Sequence, residues 1–137
     1  MRAGWTGLKL AVVAALLTVG PVHAEMRRIV CKFPEGSRVL IMPEIILHTD
    51  IATGNTRIED KLIIRSIGNP VRADVQEARN KRLLRTFYTW RVDGIPHARS
   101  YLGFVDFRMK VEADGQAFIE TTNAMKNKKE TARGRCS

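Results

Sequence analysis

Few residues in this chain are equipped for chemistry. Beyond residue 24 the only histidines are His48 and His97, and the only cysteines are Cys31 and Cys136. In "HTD", His48 and Asp50 fall on one side of an extended segment and would supply half of a metal site. No second pair of ligands stands at the spacing that a tetrahedral set requires, so no metal is expected. Asp50 also opens "ATGN", a turn sequence in which aspartate serves the backbone. Glu59 and Asp60 are adjacent, and in an extended chain their carboxylates point to opposite faces and cannot share a substrate. There is no GxSxG elbow, no glycine-rich phosphate loop and no CxxC pair. Hydrolysis by Glu44, Asp50 or Asp60 would need a site assembled entirely by the fold. These absences argue against an enzyme and against a resident cofactor.

The cations are the stronger signal. The chain carries 23 Lys and Arg against 14 Asp and Glu, a formal charge of +9. Arg79, Lys81, Arg82, Arg85 and Arg91 cluster centrally, and Lys126, Lys128, Lys129, Arg133 and Arg135 cluster at the tail. Arg27 and Arg28 precede the first cysteine. A field of this sign draws anions and acidic surfaces. Nucleic acid is not the expected partner, because no recognition helix or RNP-like aromatic motif accompanies the charge.

Compartment follows from the N-terminus. Arg2 and Lys9 precede an apolar run from Leu10 to Val19, then Gly20-Pro21 and Val22-His23-Ala24. This has the pattern of a signal peptide cut after Ala24, leaving residues 25–137 as one domain. The apolar run is too short to span a bilayer of about 30 Å, and no later stretch reaches the required length. Export selects an anionic envelope component (lipid headgroups, lipopolysaccharide phosphates) or an acidic envelope protein as the expected partner. It also places the two thiols where disulfides persist, and only one intramolecular pairing exists: Cys31 with Cys136. Joining them would bring the first and last segments within about 6 Å, Cα to Cα. On that view Arg27, Arg28, Lys126, Lys128, Lys129 and Arg133 gather beside the joint as a basic patch.

The elements that must position these residues are strands. Turn signals recur at Pro34-Glu35-Gly36, Gly54-Asn55, Gly68-Asn69-Pro70, Asp93-Gly94 and Asp114-Gly115, with β-branched and aromatic runs between them. The pattern predicts an all-β antiparallel meander of about eight strands, a barrel or a sandwich. In "KRLLRTFYTWRV", Leu84, Thr86, Tyr88, Trp90 and Val92 share the core face. Arg85, Phe87 and Arg91 then share an outward basic and aromatic stripe. In "YLGFVDFRMKVE", Tyr101, Val105, Phe107, Met109 and Val111 face the core, and Asp106, Arg108, Lys110 and Glu112 face out. A three-residue turn, Ala113-Asp114-Gly115, opposes Met109 with Ile119 and Phe107 with Thr121, keeping Glu120 out of the core. "TRIEDKLIIRSI" reads as a strand with Ile58, Leu62 and Ile64 on one face, and Asp60 among them. "VQEARNKRLL" is open between strand and a short helix over Val75–Leu84. Pro43 breaks "RVLIMPEIILHTD" at an edge, a bulge or a corner between two short strands.

In size, leader and cysteine placement the chain resembles the small periplasmic barrels of the c-type lysozyme inhibitors, which also tie their ends with a disulfide. Their inhibitory-loop motif is not found in this sequence. The leading expectation is a non-enzymatic binding protein acting through Arg27, Arg28, Arg85, Arg91, Lys126, Lys128, Lys129 and Arg133. The alternatives are a carrier of a small apolar ligand among Tyr88, Trp90, Tyr101 and Phe107, or an envelope hydrolase around His48 and Asp50. A barrel this small is expected to be filled by its own side chains.

Overall fold

Period-two alternation produces a sheet that closes on itself. A computed structural model describes residues 25–34, 39–80, 82–97, 100–123 and 129–137, with the side chains of 97, 100–102 and 123 excepted. The leader read at residues 1–24 lies outside the described residues. Eight strands follow in order: β1 Met26–Lys32, β2 Glu44–Asp50, β3 Thr56–Glu59, β4 Val71–Asn80, β5 Leu83–His97, β6 Ser100–Glu112, β7 Gln116–Asn123 and β8 Thr131–Cys136. Each pairs antiparallel with its neighbour in sequence, and β8 returns to β1 to complete a closed barrel. The barrel therefore has a base, where β1 ends and β2 begins, and a mouth, where β1 begins and β2 ends.

The β6–β7 hairpin has the anticipated register. Met109 opposes Ile119 and Phe107 opposes Thr121. Gly115 takes φ 91°, a conformation that side-chain-bearing residues rarely adopt. Tyr88, Trp90, Val92, Val105, Phe107, Met109 and Ile119 are buried in the interior. The Trp90 and Phe107 rings stack with centroids 5.3 Å apart.

Two readings are corrected, and one that stood open is decided. "DKLIIRS" is not a strand: Lys61–Ser66 forms a short helix, α1. Asp60 is its N-cap, its side chain accepting from the Ile63 N–H at 2.8 Å. That cap breaks the strand pattern, and Leu62 and Ile63 enter the core at the base while Ile64 stays exposed. Residues 75–80 are strand, not helix, because Val75, Glu77 and Arg79 pair with Tyr88, Thr86 and Leu84 on β5. Pairing of this kind overrides helix propensity. Asp93-Gly94 is not the turn between strands. β5 continues through it, and Gly94, at φ 66°, resets the alternation so that Val92 and Ile95 are both buried. Residues 39–42, immediately before Pro43, form no strand; Leu40 and Ile41 are buried in this irregular segment.

That segment closes the base. The Glu130 carboxylate accepts the N–H groups of Val39, Leu40 and Ile41 at 3.0, 2.9 and 3.2 Å. Phe33, Leu40, Ile41, Leu62, Ile63 and Ile95 belong to the same core as the barrel interior.

Closure depends on a narrow seam. Cys31 opposes Cys136 and Lys32 opposes Arg135, and Val30 and Ser137 exchange both backbone hydrogen bonds at 3.0 and 2.9 Å. The Cys31–Cys136 disulfide crosses this seam with its Cα atoms 3.9 Å apart, joining residues 105 positions apart. Gly134 lets the chains approach: a Cβ there would strike the Lys32 carbonyl oxygen and the Phe33 ring. The disulfide fits an oxidising compartment, and no helix among the described residues is long and apolar enough to cross a membrane. Replacing both cysteines by serine is expected to lower unfolding free energy by about 4 kcal/mol, the scale for freeing a loop of roughly 100 residues. Gly134→Ala, with the disulfide intact, is expected to lose about 1–3 kcal/mol through overpacking. Urea denaturation measures both, and an unchanged midpoint for Gly134→Ala would mean that β8 is not seated as described.

Candidate functional site

Antiparallel pairing decides which cations meet. Because β1 and β8 run in opposite directions, residues preceding Cys31 and residues preceding Cys136 leave the disulfide in opposite senses. Arg27 and Arg28 go to the mouth, while Arg133 and Lys129 go toward the base. Among the described residues, Arg27 and Arg28 are therefore carried away from Arg133 and Lys129 and do not gather with them beside the joint. Lys126 and Lys128 lie outside the described residues. Arg27 and Arg28 also separate from each other: Arg27, in phase with Ile29 and Cys31, lines the mouth, and Arg28 lies opposite His48 on the outer wall.

The outward stripe on β5 belongs to a wider face. Phe87 pairs with Lys110, Lys110 with Phe118, and Phe118 with Arg133, so one row crosses four strands over roughly 14 Å. Arg108 lies over the Phe87 ring at 4.6 Å, Arg133 over Phe118 at 5.6 Å and Lys110 over Phe118 at 6.0 Å. Arg85, Phe87, Arg108, Lys110, Phe118 and Glu120 line a shallow outer concavity of about 330 Å³.

Pairing sorts these cations. Arg91 is bound by Asp106 through two hydrogen bonds, 2.8 and 3.1 Å, and lies over Phe104 at 3.9 Å. Lys129 meets Glu120 at 3.0 Å. Arg85 Nε and Lys110 Nζ share one Glu112 oxygen at 3.5 and 3.7 Å, the former without hydrogen-bond geometry. Arg108 and Arg133 form no ion pair with any described residue. Of the expected contact residues, Arg85, Arg91 and Arg133 thus lie on one outer wall. Arg108, Lys110 and Phe118 join them, and their outward positions follow from the β6 alternation and the β6–β7 register.

The hydrolytic alternative does not keep its geometry. Asp50 turns to its own loop, accepting from Ala52 and Thr53 N–H at 2.9 and 3.4 Å. His48 Nε2 instead meets Glu59 Oε2 at 2.8 Å, with Arg28 and Arg57 as its register neighbours. No group of three potential metal ligands occurs among the described residues. Glu59 belongs to an outer groove of about 700 Å³ beside α1, lined also by Met42, Ile46, Asp60 and Ile64.

Trp90, Phe107 and Tyr88 do line the interior, packed as core; the Tyr101 side chain lies outside what is described. The filling stops short of the mouth, where a cup of about 670 Å³ opens above Tyr88. Comparison with family models, with curated proteins and with solved structures finds no match to this chain.

Burial pushes the Asp60 carboxyl up to about 6, against the opposing effect of the Ile63 and Leu62 N–H groups. A carboxyl whose folded pKa exceeds its unfolded value stabilises the fold when protonated, and that contribution is lost as pH rises through about 6. Asparagine caps as well as aspartate and does not titrate. Asp60→Asn is expected to be more stable than the parent above about pH 7, by roughly 2–3 kcal/mol, with the gap closing toward pH 4. Urea unfolding across this range measures the gap; a gap that does not change with pH would remove Asp60 as its source.

Proposed function

We propose that this domain is a non-enzymatic binding module of the periplasm or the extracellular space. Its partner is an anionic envelope surface, held on the outer wall of β5–β8. The observation that carries this reading is the row Phe87, Lys110, Phe118 and Arg133, with Arg108 stacked on Phe87. A guanidinium over a phenyl ring keeps its N–H edge directed outward, where it can grip a phosphate or carboxylate with two parallel hydrogen bonds. The ring beneath holds it in place and offers an apolar platform to whatever carries the anion.

Arg108 and Arg133 matter most here, because acids do not already hold them. Arg91 and Lys129, matched to Asp106 and Glu120, contribute less. Favouring a membrane-like surface over an acidic protein is the shape of the site: a broad wall with a shallow concavity and a partly exposed Phe104 beside it. Arg28, outside this row on β1 near the mouth and opposite His48, takes no part in this face.

The full chain, expressed with its own leader and recovered from the envelope, should bind phosphatidylglycerol vesicles and ignore phosphatidylcholine. Binding should weaken steeply as salt rises from about 50 to about 300 mM. Charge reversal of Arg108, Lys110 and Arg133 together should reduce it by at least tenfold, whereas Arg28→Glu should change it by less than about twofold. Equal binding to both vesicle types, or binding that survives the triple reversal, would leave this wall as a solvated face. Retention of an acidic envelope protein without vesicle binding would move the partner to that class.

A further inference from the structure

The two ends of the barrel are built differently. At the base, Leu62 and Ile63 of α1 and Leu40 and Ile41 of the segment that Glu130 holds pack into the core. At the mouth, the buried interior ends at Tyr88 and Thr56, leaving the cup of about 670 Å³. Its volume lies within the range of sites that hold one small molecule.

The lining is mixed in an informative way. Val75, Leu84 and Val111 supply an apolar wall, with Val75 38% exposed although it faces inward. Thr86 and Tyr88 add hydroxyls. Thr49 and Thr56 are already committed to each other at 2.9 Å. Arg27 on β1 and Glu77 on β4 both line the cup, and neither forms an ion pair with any described residue. Both charges are felt at the floor: burial raises the Tyr88 pKa, the Arg27 guanidinium opposes that rise and the Glu77 carboxylate adds to it.

A wholly apolar ligand would leave a cation and an anion desolvated without partners, which is unfavourable. A simple anion would satisfy Arg27 and be repelled by Glu77. A molecule carrying both charges and an apolar group satisfies all three parts of the lining. β1 and β4 are separated around the wall by two strands, about 14 Å along the arc. Both side chains line the cup and so cover part of this distance, and a dipeptide, whose chain spans up to roughly 7 Å, can bridge the remainder. We propose that the mouth of the barrel binds a small zwitterion of the amino-acid or dipeptide class. Arg27 takes its carboxylate, Glu77 its ammonium, and Val75, Leu84 and Val111 its apolar side chain.

This site is independent of the outer wall and can be tested apart from it. The probe is L-leucyl-L-leucine, titrated calorimetrically into the full chain recovered from the envelope, with its C-terminal amide and N-acetyl derivatives as comparisons. The dipeptide should bind with Kd between about 10 μM and about 1 mM. Amidation should weaken binding about tenfold in the parent and have no further effect in Arg27→Gln; acetylation should behave the same way with respect to Glu77→Gln. Reversing Arg108, Lys110 and Arg133 should leave dipeptide binding intact, so failure of the vesicle experiment does not touch this one. No binding of the dipeptide at about 10 mM overturns the proposal. So does either derivative binding the parent as tightly as the unmodified dipeptide does. Laurate binding that is tighter than dipeptide binding and indifferent to Glu77→Gln would do the same, assigning the cup to an anionic amphiphile.

Discussion

Closure of β8 onto β1 is the constraint from which the rest of the molecule follows. A meander of antiparallel strands has two free edges, and each would expose unpaired backbone to other chains. Here the edges meet over only a short ladder, Cys31–Cys136, Lys32–Arg135 and the Val30–Ser137 pair. So short a ladder is weak by itself, and the seam is reinforced in two ways. The disulfide removes open-edge conformations from the unfolded ensemble, and Gly134 permits a backbone approach that any side chain would block. Once the barrel closes, inside and outside are fixed for every residue. The same step determines which cations become neighbours.

The net charge is therefore a poor guide to the electrostatic surface. On the outer wall several cations are locally compensated: Arg91 by Asp106, Lys129 by Glu120, Arg85 and Lys110 by Glu112. Exposed pairs of this kind add little to stability, generally less than 1 kcal/mol each. Their effect is to flatten the field over much of the wall. What remains is a small number of cations placed on aromatic rings, Arg108 and Arg133 foremost. Chain neighbours with like charge need not act together, and Arg27 and Arg28 show why: successive strand residues face opposite sides, so one enters the barrel and the other leaves it.

Much of the barrel was legible because period two is a strong signal wherever one face of a strand is buried. The β6–β7 hairpin is the clearest case, since moving the turn by one residue would have buried Glu120, and Glu120 is instead on the outer wall. The helix at Lys61–Ser66 was not legible from periodicity. Six residues are too few to separate a 3.6-residue period from alternation, and the deciding contact is a single cap from Asp60. Glu130 was visible only as an isolated acid in a basic tail; its partners, the N–H groups of Val39 to Ile41, lie about ninety positions away. The outer wall was half visible. Its two faces could be read strand by strand, but which strands adjoin is a property of topology, and so is the row from Phe87 to Arg133.

The contrast between base and mouth carries the functional weight. At the base, groups that would be costly to bury alone have found partners: Glu130 receives three backbone N–H groups, and Asp60 caps α1. A small barrel can be packed shut, and this one is, from Trp90 and Phe107 downward. Filling the mouth would have needed only larger side chains at positions such as Thr86 or Val111, a change that hydrophobic burial generally rewards. Instead those positions hold modest residues, and the charges that face inward there belong to strands too far apart to neutralise each other directly. Packing alone does not account for an end left open and lined with an uncompensated cation and anion. A ligand supplying the complementary charges would, and the small-molecule site proposed for the mouth then shares one barrel with the anionic surface proposed for the outer wall.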